Sequence, residues 1–233
     1  MESKGNMVVF SDHGHFADRR DAGLQLGALL RNALRNGSRP RTIVAGIPRG
    51  GIMVAADAAS VIGCDLDVIG ATPLISPVDP EIPFGAVAED GAEALSPFLP
   101  DGGMGHDWAF AERRRKRAEI SHRMESIRTA IPTSDWSGAR VLIVDDTAST
   151  PWLLAAAAET ARLRGAAEVV VAVPCAPIDV CHELTDKVQL VVAGVATQGA
   201  LRSPLEVYRR FPHVTFGEMM EKLRNAGVRT RAS

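Results

Sequence analysis

The sequence predicts an α/β fold built on a parallel sheet, and three observations carry that expectation. Short apolar, β-rich runs at Thr42 to Ile47, Arg140 to Val144 and Glu168 to Val173 alternate with helix-like segments. Two of these runs end in turns of small residues, Pro48-Arg49-Gly50-Gly51 and Asp145-Asp146-Thr147-Ala148, from which a helix follows at once. The repeated strand-helix-strand order implies parallel pairing with right-handed crossovers, and places ligands at the carboxyl ends of the strands.

Each element follows from local pattern. Between Asp18 and Asn36, the residues Leu26, Leu29, Leu30, Ala33 and Leu34 recur at helical spacing, and Asn36-Gly37 supplies a stop. Ile52 to Ile62 reads as a helix closed by Gly63, and Leu66 to Ile69 starts the next strand. Ala71 to Asp107 is rich in Pro and Gly with little periodicity, which predicts a long loop or flap. Trp108 to Arg128 reads as a charged helix, Pro151 to Arg164 as a helix with Gly165 behind it, Val188 to Ala193 as a strand, and Phe216 to Asn225 as a terminal helix. No internal repeat and no low-complexity tract interrupts residues 1–233, so one domain is expected.

Composition narrows the function classes. With 233 residues, 46% of them hydrophobic, the chain is able to bury a sizeable core. Its 26 basic and 28 acidic residues give a net charge of -2, so there is no general attraction to nucleic acid or anionic membrane, and any phosphate binding must be local. The longest apolar run, around Leu153 to Ala158, is far short of a membrane span. Cys64, Cys175 and Cys181 have neither a CxxC pair nor a His at ligand spacing, so reduced, packed thiols are expected. These features suit a soluble cytoplasmic protein.

The most informative stretch is Val141-Leu142-Ile143-Val144-Asp145-Asp146-Thr147-Ala148-Ser149-Thr150-Pro151. An apolar strand delivers two carboxylates to its end, and small hydroxylated residues lead into a helix whose free N–H groups suit an anion. Carboxylates accept hydrogen bonds from vicinal hydroxyls while a helix start holds phosphate, so the pattern fits a sugar phosphate. The plainer alternative is that Asp146 and Thr150 only cap the helix, with Pro151 at its first position.

Four further segments, in order, give the chain a resemblance to the type I phosphoribosyltransferases. Asp18-Arg19-Arg20-Asp21-Ala22-Gly23 is similar to the opening helix of the stand-alone bacterial and archaeal members, and Pro48-Arg49-Gly50-Gly51 to their P-R-G-G turn. Pro80-Glu81 with Gly85-Ala86-Val87-Ala88-Glu89 resembles the flap, and Glu112-Arg113-Arg114-Arg115 the charged helix behind it. The resemblance runs from about Phe16 to Val195 and implies a Rossmann-like parallel sheet, with a flap over roughly 71–107 and a small hood from the N-terminal segment and the C-terminal region.

It further implies binding of 5-phosphoribosyl-1-pyrophosphate (PRPP), with Mg2+ held mainly through the substrate, and transfer of phosphoribose to a nitrogenous base with release of pyrophosphate. Under this resemblance Asp145 and Asp146 are the catalytic residues that hold the ribose hydroxyls. Thr147, Ala148, Ser149 and Thr150 hold the 5-phosphate, and Arg49, Gly50 and Gly51 face the pyrophosphate. Partners would be PRPP and a nucleobase or nucleotide, with no nucleic acid and no membrane, and self-association is left open. The acceptor base is not legible.

The pattern departs from that family at its central loop. Thr150-Pro151-Trp152-Leu153 stands where the family has T-G-x-T, which removes one N–H donor and one hydroxyl. Thr72-Pro73 stands where the family has a basic pair. A non-catalytic nucleotide or sugar-phosphate binding protein on the same fold is therefore the alternative. A dinucleotide binder is disfavoured, since no G-x-G-x-x-G follows a strand.

Other candidates weigh less. Arg113 to Arg117 reads as a solvated helix face with Glu112–Lys116 and Arg115–Glu119 pairs rather than a nucleic-acid patch. Asp12-His13-Gly14-His15 reads as a polar loop rather than a metal site. Glu89 is a weak candidate base and reads as an ordinary exposed loop glutamate.

Overall fold

In a computed structural model of the chain, residues 2–4, 6–11, 14–34, 40–77, 80, 83–97 and 107–230 are described, with backbone alone for 2–4 and 227–230. Asn36-Gly37, Glu81, Asp12 and His13 lie outside the described residues. The larger sheet contains β1 (Glu2–Lys4), β2 (Met7–Ser11), β3 (Thr42–Gly46), β4 (Asp65–Val68), β8 (Arg140–Val144), β9 (Glu168–Pro177) and β10 (Leu190–Thr197). Its order is β1-β2-β10-β9-β8-β3-β4, and every neighbouring pair is parallel except β1 with β2. The expected parallel α/β sheet is present, with β8 central and β3 beside it.

The strands bury both faces. Ile43, Val141, Ile143, Val169 and Val171 point into a core shared with α4 (Trp152–Leu163) and α5 (Ile178–Thr185). The alternate residues Val44, Leu142, Val144, Val170 and Ala172 pack against α1 (Arg19–Ala33) and α2 (Gly50–Ile62). Helices on both faces explain why these strands read as unbroken apolar runs. Asp18 caps α1 by accepting from the Arg20 and Asp21 amides, and Gly63 closes α2 at φ 77°, a left-handed conformation that suits glycine.

Several boundaries differ from expectation. The sequence pattern missed β1, β2 and α5, ended β9 four residues early, and ended the terminal helix α6 (Phe216–Thr230) at Asn225. The larger correction concerns residues 71–107. Among the described residues this region is a three-stranded antiparallel sheet of β5 (Ala71–Ile75), β6 (Pro83–Ala88) and β7 (Glu93–Leu95), joined between β6 and β7 by the 3-10 turn Glu89–Gly91. Glycine here marks close packing rather than a loop: a Cβ on Gly85 would lie 2.6 Å from the Ala94 carbonyl oxygen. Pro73 and a register shift between Leu74 and Ile75 further obscured the period of two.

The charged helix α3 (Asp107–Arg128) packs on this second sheet. Its ion pairs are not those expected. Arg115 meets Glu112, Lys116 and Arg123 meet Glu119, and both Arg113 and Arg117 reach Glu93 of β7. Two of the five cations therefore also anchor the helix to β7, Arg117 while remaining exposed.

Glu89 is also corrected. Its carboxylate is largely buried and accepts from the Gly70 amide at 2.5 Å and from Arg164 at 2.7 Å, while Arg164 also holds Asp90 at 2.6 Å. It is a structural anchor whose oxygens are already engaged. Asp67 plays the same part in β4. It is fully buried, and accepts from Arg128 (2.5 Å), the Trp136 indole (2.8 Å) and the amides of Ser134 (2.9 Å) and Val68 (2.7 Å). Because Asp67→Ala would strand the Arg128 charge, a loss of about 3–5 kcal/mol is expected in chemical denaturation. A change below about 1 kcal/mol would show that the network is dispensable.

Candidate functional site

The site forms where β3 and β8 end together. Their parallel register sets Gly46 opposite Val144, and the Ile47 amide donates to the Val144 carbonyl at 2.9 Å. Pro48-Arg49-Gly50-Gly51 therefore turns directly beside Asp145-Asp146. The Pro48–Arg49 peptide bond is cis. The fit leaves no room for side chains: a Cβ on Gly50 would lie 1.8 Å from Asp146 Oδ2, and one on Gly51 2.8 Å from Asp145 Oδ1.

The two carboxylates differ in environment. Asp145 is buried, and its Oδ1 accepts from the Asp146 amide at 2.8 Å. Burial first, and the neighbouring Asp146 charge second, push its carboxyl well above the usual range. Asp146 is instead held by Arg19, whose Nε donates to Oδ2 at 2.6 Å with both side chains nearly buried. Arg19 also lies 3.6 Å from the Phe211 ring centroid and donates to the Pro212 carbonyl at 2.5 Å. Tyr208 donates its hydroxyl to the Asp146 carbonyl at 2.8 Å, and burial pushes its own titration upward.

Residues 207–213 reach the site because they pair with the segment before α1. The Phe16 amide donates to Val207 and the Arg209 amide to Phe16, each at 2.8 Å, and the Phe16 and Tyr208 rings pack 5.4 Å apart. These two segments thus meet above the carboxyl edge of the sheet.

The loop after Asp146 runs beneath them. Thr147 and Thr150 are half-buried, Ser149 is exposed, and the buried Ala148 donates its amide to Cys175 at 3.1 Å. Pro151 occupies the cap position of α4, and no side chain caps that helix. The capping alternative for Asp146 and Thr150 is therefore overturned, because Arg19 draws the Asp146 carboxylate away. Among the described residues the first-turn amides of α4 have no side-chain partner. Trp152 and Leu153 pack against the core, which accounts for apolar residues at these positions.

A cleft of about 720 Å³ opens on the other side of Gly50, lined by Arg19, Arg49, Arg123, Phe211, His213 and their neighbours. Arg49 Nη2 lies 2.8 Å from His213 Nε2. The structure thus brings Arg49, Gly50, Gly51, Asp145 and Asp146 together, with Thr147 to Thr150 continuing the same loop. Sequence reasoning assigned no site role to Arg19, Arg123, Tyr208, Phe211 or His213. For Arg19 a signal existed in the Asp18-Arg19 helix start, whereas the others are scattered through charged or irregular stretches.

The cysteines lie outside this chemistry. All three are free, and burial raises Cys64 to about 12 and Cys181 to about 11, so these thiols stay protonated at neutral pH. Among the described residues no cluster of three or more His, Cys, Asp or Glu is arranged for a metal, and no helix is long and apolar enough to cross a membrane.

Fold and site together define a parallel α/β protein with an acidic strand end set against a glycine turn. The family model described as the phosphoribosyl transferase domain matches residues 17–187, and the chain belongs to that family. Two curated relatives from Mycobacterium tuberculosis strains, each named a "putative phosphoribosyl transferase", are 33% identical over 212 residues. That alignment covers 91% of this chain but 47% of the relatives, so the chain spans about half their length. The crystal structure of TT1426 from Thermus thermophilus is 30% identical with a TM-score of 0.73, covering 91% of this chain and 98% of that one.

Two measurements probe this geometry. Gly50→Ala drives a methyl group into Asp146, so a loss of about 1–3 kcal/mol of stability is expected in urea titration, and an unchanged midpoint would mean that the turn gives way. Asp145 has a raised folded value, so its contribution to stability is present below the unfolded carboxyl value of about 3.9 and is lost as pH rises through the folded value. Asp145→Asn keeps the shape without the charge. It should raise Tm at pH 8 and alter it little at pH 4. Equal shifts at the two pH values would show that the carboxyl is not held toward its neutral form.

Proposed function

We propose that the protein binds PRPP and transfers its phosphoribosyl group to a nitrogenous base, releasing pyrophosphate. The observation that carries this reading is the contact between the Gly50-Gly51 turn and the Asp145-Asp146 pair, two loops 95 residues apart in the chain. Asp145 and Asp146 would accept from the ribose hydroxyls. Thr147, Ala148, Ser149 and Thr150, with the uncapped amides of α4, would surround the 5-phosphate. Arg49 and the Gly50 and Gly51 amides would face the diphosphate, where missing side chains permit close approach.

In the reaction the base nitrogen forms its bond to the ribosyl carbon as the bond to diphosphate oxygen breaks; diphosphate leaves with the electron pair and the base gives up a proton. Positioning and charge complementarity would do most of the catalytic work. Magnesium fits this donor set only as a companion of the ligand, since Asp146 is engaged by Arg19 and Asp145 is pushed toward its neutral form. It would be held by phosphate oxygens and water, neutralising charge on the leaving group. A cytoplasmic setting without nucleic-acid partners accompanies this reading.

A second reading, a non-catalytic nucleotide or sugar-phosphate binding protein, is favoured by one observation. Pro151 at the helix cap and the packed Leu153 withdraw two phosphate contacts from the loop. Calorimetry with PRPP and Mg2+, paired with an assay of pyrophosphate release over a panel of purine and pyrimidine bases, separates the two. Weak PRPP binding with slow release is expected. Restoring the two groups in Pro151→Gly/Leu153→Thr should tighten PRPP binding by about one to two orders of magnitude. No PRPP binding by either protein would remove the transferase reading, and binding without release for any base would leave the second.

A further inference from the structure

Resting on the PRPP reading above, we propose that Arg123 and His213 are diphosphate-binding residues, forming with Arg49 the hydrogen-bond-donating wall of a cleft that takes the diphosphate end of the ligand. Three separate parts of the chain converge there: the turn before α2, helix α3, and the segment leading into α6. The cleft is contiguous with Gly50, whose Cα faces Asp146, so one ligand is able to touch both the acidic pair and this wall.

Charge decides what the cleft accepts. Among the described residues three arginines and a histidine line it, and no carboxylate does. Arg19 is already engaged by Asp146 and the Pro212 carbonyl. Arg49 is different: among the described residues its side-chain partner is the His213 ring at 2.8 Å, and no acid offsets it. Arg123 pairs with Glu119 at 2.5 Å, but both side chains are about a third exposed, and such a pair is readily exchanged for a stronger anion. The remaining wall includes the apolar side chains of Phe211, Val214, Phe216 and Met219, and a low-dielectric lining focuses the positive potential on the opening. A compact, multiply charged anion is the ligand class that satisfies two guanidinium groups and an imidazole at once.

The residues at the flap position do not serve this end. Thr72 is buried in β5 opposite Val87, and neither Thr72 nor Pro73 lines the cleft. The basic side chains instead come from α3, as the Arg123 guanidinium, and from the segment before α6, as the His213 imidazole, two places where the sequence shows only a charged helix face and an irregular stretch.

Calorimetry of the full chain with inorganic pyrophosphate and Mg2+ tests the assignment, using Arg123→Gln, His213→Gln, the pair together, and Arg114→Gln as a charge control on the exposed side of α3. Each single change should weaken pyrophosphate binding about tenfold, and the pair more than either alone, while Arg114→Gln stays within about twofold. Arg123→Lys keeps the charge but not the fork, and should fall between Arg123→Gln and the unmodified chain. Circular dichroism of each variant excludes unfolding as the cause. Singles within about twofold of the unmodified chain, or no pyrophosphate binding by that chain, would overturn the proposal. PRPP titrations run beside these separate the two readings. PRPP binding insensitive to Arg123 and His213 would sink this assignment and spare the transferase reading. Pyrophosphate binding that depends on both residues, with PRPP bound no better than pyrophosphate, would sink the transferase reading and support the diphosphate site.

Discussion

Strand β3 lies parallel to β8 with Gly46 opposite Val144, and this register brings the Gly50-Gly51 turn flush against the Asp145 and Asp146 carboxylates. A shift of one residue would turn each strand's side chains to the opposite face and separate the two loops. Both glycines are required at this contact because backbone and carboxylate occupy the space of a methyl group. The rest of the site is arranged around it. Arg19 approaches from α1, Tyr208 from the segment paired with Phe16, and α4 starts immediately beyond.

Two adjacent carboxylates in a buried corner repel each other, and the structure relieves this in two ways. Asp145 gives up exposure and is pushed toward its neutral form, whereas Asp146 keeps a cation. The Arg19 contact also ties the Phe211-Pro212 segment to the sheet edge, so charge compensation and closure of the cleft share one side chain. With a net charge of -2 the molecule as a whole attracts no polyanion, so any attraction for an anion has to come from local arrangements such as Arg49 beside Arg123 and His213.

Away from the site, acidic residues serve the architecture. Asp67 ties β4 to α3 and to the segment before β8, while Glu89 ties the 3-10 turn to Gly70 and to Arg164 behind α4. Both hold the three-stranded sheet and α3 beside the main sheet. A glutamate in an apparent loop was thus a buried anchor.

The sequence by itself determined the strand-helix alternation and the two turns, because runs such as Val141 to Val144 must be buried and residues such as Gly50, Gly51 and Asp146 punctuate them. These are local signals, carried by residues within one turn or strand of each other. What escaped was non-local or locally disguised. The β5-β6-β7 sheet lost its period of two to Pro73, Gly85 and a register shift, and β2 is only five residues long. Only the tertiary structure decided that Asp146 binds Arg19 rather than capping α4, that Arg113 and Arg117 meet Glu93, and that His213 faces Arg49 across 164 residues of chain. A side chain's partner is set by which elements pack together, and no spacing along the chain encodes that choice.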